Sequence, residues 1–171
     1  LSALSDSGNL IEADVAYRGD LVFNVSESGD HATVTLDTFM QGVSLGRPSL
    51  GDDDAAWDVR LSPNVVTDLT LDASSAPGDF DVSELQISEL ELDVGSGDVH
   101  LRRPGDSSFD GEIDGGSGEL VIFVPENVGL RIELDSGSGS FRPGDRLVIV
   151  EGERGDDSLW ETRDYATADY K

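Results

Sequence analysis

An aspartate returns every 21 residues through the middle of this chain, and carboxylates at a fixed interval can bind cations. The four positions are Asp72, Asp93, Asp114 and Asp135. Stacked as parallel strands, neighbouring carboxylates would lie about 4.8 Å apart, and Ca²⁺ takes several carboxylate and carbonyl oxygens. The sequence therefore offers these aspartates as a row of Ca²⁺ or other cation sites, although their period is longer than that of nonapeptide calcium repeats.

The same aspartates have a structural alternative, because Gly-Ser-Gly follows three of them, at residues 95–97, 116–118 and 137–139. Each carboxylate can accept hydrogen bonds from backbone N–H groups of its own turn. We favour this capping role, since it needs nothing beyond the chain, and we assign no metal or cofactor. The glycines supply positive φ or a close backbone approach. They do not form a phosphate loop, because the lysine of that motif and its following helix are missing.

The residues that serve catalysis in other proteins show no catalytic arrangement here. His31 and His100 are the only histidines, and neither belongs to a closely spaced zinc-binding pair. The G-x-S-x-G motif of a nucleophile elbow is absent. The run 52–54 consists of three aspartates and is typical of a solvated loop. We therefore predict a protein that is not an enzyme, with His100 solvated on the polar side of a strand.

Two further sets of side chains suggest binding of carbohydrate. Exposed aromatic rings stack on sugars, although such rings more commonly pack over the edges of sheets. A polysaccharide-cleaving enzyme with a β-helix fold would in addition need carboxylates beside a basic residue. The aromatic candidates are Trp57, Trp160, Tyr165 and Tyr170, and the basic ones are Arg102, Arg103 and Arg131. Nothing in the sequence brings the arginines together, so we keep this enzyme as the weakest alternative.

The elements that position these residues are strands. From Ser88 to Val94 the apolar residues alternate with acidic ones, and 128–135 repeats that pattern. Alternation with one acidic side indicates half-buried strands. Residues 119–124 depart from it, because Val121 and Phe123 are apolar on the side that should face water. We expect another group to cover them, with Trp57, Trp160 or Tyr165 as candidates.

We predict one domain over residues 1–171. Residues 1–65 form irregular strands with turns near Gly19 and Gly29, and 40–55 form a surface loop. A strand follows at Trp57–Leu61, regular repeats occupy 66–143, and 144–171 form a hairpin and the start of another strand.

The period of 21 residues, which we call the repeat period, indicates a stacked repeat architecture. Two topologies fit two strands per period. Parallel stacking gives an all-β, two-sheet β-solenoid with rungs of about 21 residues, whereas antiparallel pairing across each Gly-Ser-Gly gives a sandwich or meander. The in-step series Leu71, Leu92, Ile113 and Leu134 favours the solenoid, because stacking places these residues in one core.

The composition narrows the choice of partners. Acidic residues number 36 against 11 basic ones, for a net charge of −25, and Lys171 is the only lysine. Such a field repels nucleic acid and anionic lipid and favours basic partners. The composition is typical of a halophilic protein in a saline habitat, with an acidic envelope protein at ordinary salt as the alternative. Cysteine is absent, which removes disulfides and thiol catalysis. No apolar run is long enough to span a membrane.

Several segments resemble the bacterial toast-rack domain. They are WDVRLSPNVVTDLTLDASSAPGDFDVSELQISELELDVGSGDVHLRRP, LVIFVPENVGLRIELDSGSGS, NLIEADVAY and the final ETRDYATADYK. The resemblance covers most of the chain and implies a two-sheet β-solenoid. Proteins with this domain include the C-terminal part of LiaF-type membrane proteins, which restrain cell-envelope stress signalling, and related candidate adhesins. The strong acidity and the missing transmembrane helices depart from that family.

On these grounds we expect a non-catalytic interaction or scaffold domain at the cell envelope, tethered to a membrane in its full-length form and bound to a protein partner. The resemblance suggests a role in envelope-stress signalling. An adhesin or glycan-binding module is the first alternative, and the polysaccharide-active enzyme is the second. The sequence specifies neither the partner, nor the oligomeric state, nor the side of the membrane.

Overall fold

The structure, a computed structural model, describes residues 1–5, 8–17, 19–39, 56–74, 76–135, 140–153 and 156–171. Within these ranges the chain is all-β, and the described residues contain no helix. The strands are β1 (Ser2–Ala3), β2 (Ile11–Val15), β3 (Asp20–Ser28), β4 (His31–Phe39), β5 (Trp57–Leu61), β6 (Val66–Ser74), β7 (Gly78–Asp81), β8 (Gln86–Val94), β9 (Val99–Arg102), β10 (Asp110–Gly115), β11 (Leu120–Phe123), β12 (Arg131–Leu134), β13 (Leu147–Glu153) and β14 (Asp156–Thr162).

The chain divides into two compact units. One comprises Leu1–Glu12 with Arg60–Lys171, and the other comprises Ala13–Val59. The second unit contains the antiparallel hairpin of β3 and β4, whose turn holds Gly29 at a φ of 67°, as the sequence predicted. The loop expected at 40–55, with its three aspartates, lies outside the described residues. The single domain stays a prediction.

The repeats of the larger unit pair in parallel. In the sheet β6–β8–β10, Leu92 lies beside Leu71 on one side and Ile113 on the other. In the sheet β7–β9–β11, the corresponding series is Phe80, Leu101 and Ile122. Neighbours in both series are one repeat period apart in the sequence. β8 and β9, which flank the Gly-Ser-Gly at 95–97, lie in different sheets, so the antiparallel alternative is wrong for this turn.

The two parallel sheets share one hydrophobic core. Leu90, Leu92 and Val94 of β8 are buried, as are Val99 and Leu101 of β9, and all belong to one packed cluster. The intervening residues of both strands are exposed, which confirms the alternation predicted for Ser88–Val94. Full burial of such an aliphatic side chain stabilises the fold by about 1.5–3 kcal/mol, so this core supplies the main cohesion of the stack.

The core is partly exposed at the last parallel strands, β10 and β11. Leu92 and Leu101 are 1% and 2% exposed, whereas Ile113 and Ile122, one repeat period later, are 36% and 37% exposed. The sequence predicted that Leu134 continues the series. Instead, β12 pairs antiparallel with β14 in a separate sheet of order β12–β14–β13. The predicted series is therefore confirmed for Leu71, Leu92 and Ile113 but is wrong for Leu134. The strand that contains Leu134 pairs with β14 of the C-terminal hairpin instead.

The Gly-Ser-Gly corners at 95–97 and 116–118 are glycine-rich because successive corners stack backbone against backbone, and the third one, at 137–139, lies outside the described residues. A Cβ on Gly97 would overlap the carbonyl oxygen of Ala76, and a Cβ on Gly118 would overlap that of Gly97. Among the described glycines, positive φ values occur only at Gly19, Gly29 and Gly152. Of the two roles predicted for these glycines, close approach is therefore the one that applies at 97 and 118.

We expect Gly97→Ala to lower the free energy of unfolding by about 2–3 kcal/mol, the upper range of overpacking costs, because rigid backbone blocks the new methyl group. Chemical denaturation measures this difference. Gly144→Ala is the matched control, since its Cβ would lie in open space and the expected change is within about 0.5 kcal/mol. Equal stability of the two variants would contradict the close stacking of the corners.

Candidate functional site

The outer side of the sheet β6–β8–β10 carries a grid of carboxylates, which we call the acidic face. Because the strands pair in register, exposed acidic side chains of one strand lie beside those of the next. The face consists of Asp68, Glu89 and Asp110, then Thr70, Glu91 and Glu112, then Asp72, Asp93 and Asp114. Eight of these nine positions are acidic and none is basic, so the face is a concentrated negative surface.

The predicted aspartate row exists as three members of this face. Asp135 is not paired with Asp114, because it directly follows β12, which belongs to another sheet. Carboxylates one strand spacing apart repel by about 1 kcal/mol in water. In the described part of the chain, no group of three or more His, Asp or Glu side chains has the geometry to hold a metal ion. Cation binding by the row stays a prediction.

The capping role predicted for these carboxylates is wrong for Asp114 and its turn at 116–118. The N–H of Gly116 donates to the carbonyl of Val94, and the N–H groups of Ser117 and Gly118 donate to the carbonyl of Gly95. The turn amides are thus used to bond the preceding corner. The close approach that requires glycine also supplies a carbonyl acceptor, which replaces the carboxylate of Asp114.

The outer side of the sheet β7–β9–β11 differs from the acidic face because it alternates charge along the stack. His100 Nδ1 lies 3.1 Å from Asp79 Oδ1, and Arg102 Nη1 donates to Asp81 Oδ2 at 3.1 Å. Phe123 continues the second series on β11. We call these five residues the ion-pair face. The two members of each ion pair are one repeat period apart in the sequence. The repeat period could therefore have predicted both pairs.

Phe123 is the exposed apolar centre of the ion-pair face. Its side chain is 45% exposed, Arg102 Cζ lies 5.1 Å from its ring centroid, and the His100 ring packs edge-on at 6.3 Å. The cover expected for Val121 and Phe123 is therefore partial. At Phe123 it comes from His100 and Arg102, not from Trp57, Trp160 or Tyr165, because β9 lies beside β11 and holds these two side chains against the ring.

Hydrogen bonding holds the acidic partner of Arg102 in its charged form. The side-chain hydroxyl of Ser83 donates to Asp81 Oδ1 at 2.5 Å, and this bond lowers the pKa of Asp81, helped by the Ser83 backbone N–H and by Arg102. Burial acts in the opposite direction but is outweighed. Asp81 therefore stays ionised and positions the guanidinium over Phe123 at neutral pH.

The three arginines weighed for a polysaccharide-active site have separate structural roles. Arg102 belongs to the ion-pair face. Arg103 points the other way and is buried, with its guanidinium 4.7 Å from the Phe109 ring, and burial lowers its pKa. Arg131 lies on β12, 3.5 Å from Glu161. The structure thus pairs each arginine with a different part of the fold.

Of the tryptophans weighed for sugar stacking, only one is accessible. Trp160 is 3% exposed, packs edge-on against Phe141 at 5.3 Å and donates through Nε1 to Ser158 Oγ. Its burial on β14 agrees with the packing role favoured over sugar stacking, so the Trp160 ring is not available to stack on a glycan. Trp57 is 40% exposed. The other histidine, His31, lies at the exposed hairpin end 3.4 Å from Asp30.

Arg146 is a structural anchor that the sequence did not single out. Its guanidinium donates to the carbonyls of Pro125 and Val128 at 2.8 and 2.7 Å and to both carboxylate oxygens of Asp164. These bonds connect the turn before β12 to the segment after β14. The sequence gives no local signal for this, because the partners lie 18 to 21 residues away.

We expect Glu91→Gln, at the centre of the acidic face, to raise the free energy of unfolding by about 0.5–1 kcal/mol at 0.1 M NaCl, because it relieves repulsion from Glu112. Glutamine keeps an acceptor for the Thr70 hydroxyl, which lies 3.4 Å from the Glu91 carboxylate. The gain should fall sharply at 1 M NaCl, where the Debye length is about 3 Å. Denaturant titrations at both salts measure it.

The control for that experiment is Glu126→Gln, an exposed glutamate in a turn outside the acidic face. Relief of the general negative field should stabilise this variant less. If both variants gained equally at low salt, repulsion within the face would not be the cause.

Comparison with known proteins agrees with the sequence motifs. The family model described as the N-terminal domain of toast_rack, DUF2154, matches residues 1–123. Among solved structures, a candidate cell adhesion protein from Clostridium sporogenes ATCC 15579 aligns with a TM-score of 0.74 and 18% identity, over 99% of this chain and 77% of that one. At this identity, the structural match shows the fold alone. No curated protein sequence matches the chain.

Among the described residues, no helix has the length and apolar character needed to cross a membrane. The family model, by contrast, covers well over half of the chain. The fold and the motifs agree with it. The chain belongs to the toast-rack N-terminal domain family.

Proposed function

We propose that this chain is a non-catalytic interaction domain associated with the cell envelope, which binds a protein partner through the ion-pair face. Membership of the toast-rack family and the fold shared with a candidate cell adhesion protein support the envelope association. The observation that carries the choice of surface is Phe123, an aromatic ring held exposed among paired charges.

The chemistry of the ion-pair face suits protein recognition. Aromatic and arginine side chains dominate the binding energy of protein interfaces, and Arg102 already lies against the Phe123 ring. Its partner Asp81 fixes that geometry before binding, so little side-chain entropy is lost on association. The acidic face on the other sheet repels anionic surfaces, which favours approach from the ion-pair side.

The absence of a catalytic arrangement among the candidate residues supports a non-catalytic role. His100 pairs with Asp79 on an open strand surface, where a nucleophile and a base would lack a site that excludes water. The arginines are separated by their structural roles. Catalysis needs these groups to converge on one reacting atom, whereas His100, Arg103 and Arg131 each contact a different partner.

We infer that the two parallel sheets are opposite walls of a β-solenoid whose rungs are each one repeat period long, supported by their shared registers and core. A full-length form would be tethered to a membrane and act in envelope-stress signalling, as in the LiaF-type proteins that the sequence resembles. The net charge of −25 supports a saline habitat, where screening weakens self-repulsion.

We expect Phe123→Ser to reduce the capture of a specific protein from envelope extracts by about tenfold or more, the loss typical of an aromatic hot spot. Quantitative mass spectrometry after affinity capture, at the salt concentration of growth, measures it. Val150→Ser is the matched control, because Val150 is exposed on β13, outside the ion-pair face. Capture unaffected by Phe123→Ser, or turnover of a small molecule by the purified chain, would contradict the proposal.

Glycan binding is the second candidate, because the structural neighbour is described as a candidate cell adhesion protein and Trp57 is accessible. On a glycan array we expect selective binding that Trp57→Ala reduces by about tenfold, since stacking on a sugar needs the open ring face. Phe23→Ala, which removes an exposed ring of the same unit, should leave binding unchanged. A blank array would remove this candidate.

A further inference from the structure

The hairpin of β3 and β4 contains the tripeptide Asn24-Val25-Ser26, which has the form Asn-x-Ser/Thr of an acceptor for N-linked glycans. We call this tripeptide the acceptor motif. Three further asparagines lack a serine or threonine two positions later, and they are Asn9, Asn64 and Asn127. A short motif also occurs by chance, so its surroundings in the structure decide its meaning.

The side chains of the acceptor motif are accessible. Asn24 and Ser26 lie within β3 and are both exposed, and they point to the same side because side chains alternate along a strand. The Asn24 amide makes no hydrogen bond to the described residues, whereas the amides of Asn9 and Asn127 both act as donors. The amide nitrogen of the motif is therefore available for a covalent bond.

The motif lies on a side of the hairpin that is rich in hydroxyl groups. Residues directly opposite each other in an antiparallel pair share a side, so three successive pairs form what we call the hydroxyl side. They are Asn24 with Thr35, Ser26 with Thr33, and Ser28 with His31. All six are exposed and none is acidic, whereas eight of the nine positions of the acidic face are carboxylates. The next carboxylate along this side, Asp37, belongs to the pair beyond Asn24.

A surface of this composition is compatible with a covering glycan. A sugar chain attached to Asn24 lies over its neighbours on the hydroxyl side, where serine and threonine hydroxyls both donate to and accept from the hydroxyls of the sugar. A carboxylate in the same place would be costly, because the glycan would remove water from an unpaired charge. A chain with a net charge of −25 thus provides uncharged polar partners beside Asn24.

The hairpin also allows a modifying enzyme to reach the motif. β3 pairs with β4 and with no other described strand, and a sheet of only two strands is marginally stable by itself. Its local opening therefore costs less than the opening of a central strand in a larger sheet. The extended acceptor motif can enter the active site of a transferase before or after the hairpin forms.

We propose that Asn24 is a site of N-linked glycosylation, modified by a membrane-bound oligosaccharyltransferase that uses a lipid-linked glycan. The side-chain nitrogen of Asn24 forms a bond to the anomeric carbon of the glycan. The bond from that carbon to the phosphate of the lipid carrier breaks, the lipid phosphate leaves with the bonding electrons, and the nitrogen loses one proton to a base. The proposal rests on the envelope association proposed above, because this modification belongs to secreted and surface proteins.

Mass spectrometry of the chain isolated from the organism that encodes it tests the proposal. Trypsin releases residues 19–60 as one peptide, because Arg47 precedes a proline and the segment has no lysine, and Asn24 is its only asparagine. We expect this peptide to carry the mass of a glycan, which electron-transfer fragmentation places on Asn24. An unmodified peptide, or a glycan on a serine or threonine of the hairpin, overturns the proposal.

Substitutions in the native gene test whether the motif itself is recognised. Asn24→Gln should remove the glycan mass, because glutamine keeps an amide but does not form the motif. Ser26→Ala should remove it as well, since the motif requires a hydroxyl group at that position, whereas Ser26→Thr should retain it.

Ser28→Ala is the matched control, because it removes an exposed hydroxyl of the hydroxyl side outside the motif. The fraction of modified peptide should be unchanged in this variant. Equal fractions of modified peptide in Ser26→Ala and Ser28→Ala would overturn the proposal, because the surrounding hydroxyls rather than the motif would then decide the modification.

Cell fractionation of the same cultures separates this proposal from the proposed function. A chain that is recovered with the envelope but has an unmodified Asn24 overturns the glycosylation site and leaves the interaction domain intact. A glycosylated Asn24 in a chain whose partner capture is unaffected by Phe123→Ser supports the glycosylation site and contradicts the binding role of the ion-pair face. An unmodified chain recovered only from the cytosol contradicts both proposals.

Discussion

The close backbone stacking of successive repeat units is the constraint on which the rest of this structure depends. At the corners, a methyl group at Gly97 or Gly118 would overlap a carbonyl of the unit before it, and the amides of 116–118 bond that preceding unit. Stacking at this distance keeps residues 68–72, 89–93 and 110–114 in register with one another. The register then decides which side chains share the core and which share a surface, so a property of the corners determines both faces of the molecule.

The two outer faces show opposite results of the same register. On β6–β8–β10 it places negative charges beside one another, so that eight of the nine positions of the acidic face are carboxylates. On β7–β9–β11 it brings Asp79 to His100 and Asp81 to Arg102, so that charges pair and Phe123 is held among them. The parallel stack is incomplete at one end. Ile113 and Ile122 occupy core positions, but β12 has left to pair with β14, and no described strand covers them.

Much of this fold could be predicted from the sequence, because the repeat period and the apolar alternation are local patterns. They gave the strand at Trp57–Leu61, the inward set on β8, the parallel pairing and the family. The pairing of β12 with β14 could not be predicted. Leu134 and Asp135 follow the repeat period, so the sequence places them in the parallel stack, whereas the interaction that competes with it, Ile132 beside Trp160, joins segments that are distant in the sequence. The contact of Trp160 with Phe141 could not be predicted for the same reason. For the ion-pair face, the information was the same interval of 21 residues, which separates His100 from Asp79 and Arg102 from Asp81.

The in-register parallel stacking can be measured directly with engineered cysteines, because the chain has no native cysteine. Glu91 and Glu112 lie side by side on adjacent strands, with Cα atoms within the roughly 4.4–6.8 Å that a disulfide bridges. We predict that the double variant Glu91→Cys with Glu112→Cys forms an intramolecular disulfide under mild oxidation, while Glu91→Cys with Asp114→Cys, one diagonal away, does so far more slowly. An antiparallel meander would separate residues 91 and 112 by two strand spacings, about 9.6 Å. Failure of the first pair to crosslink, or equal rates for both pairs, would contradict the stacked register.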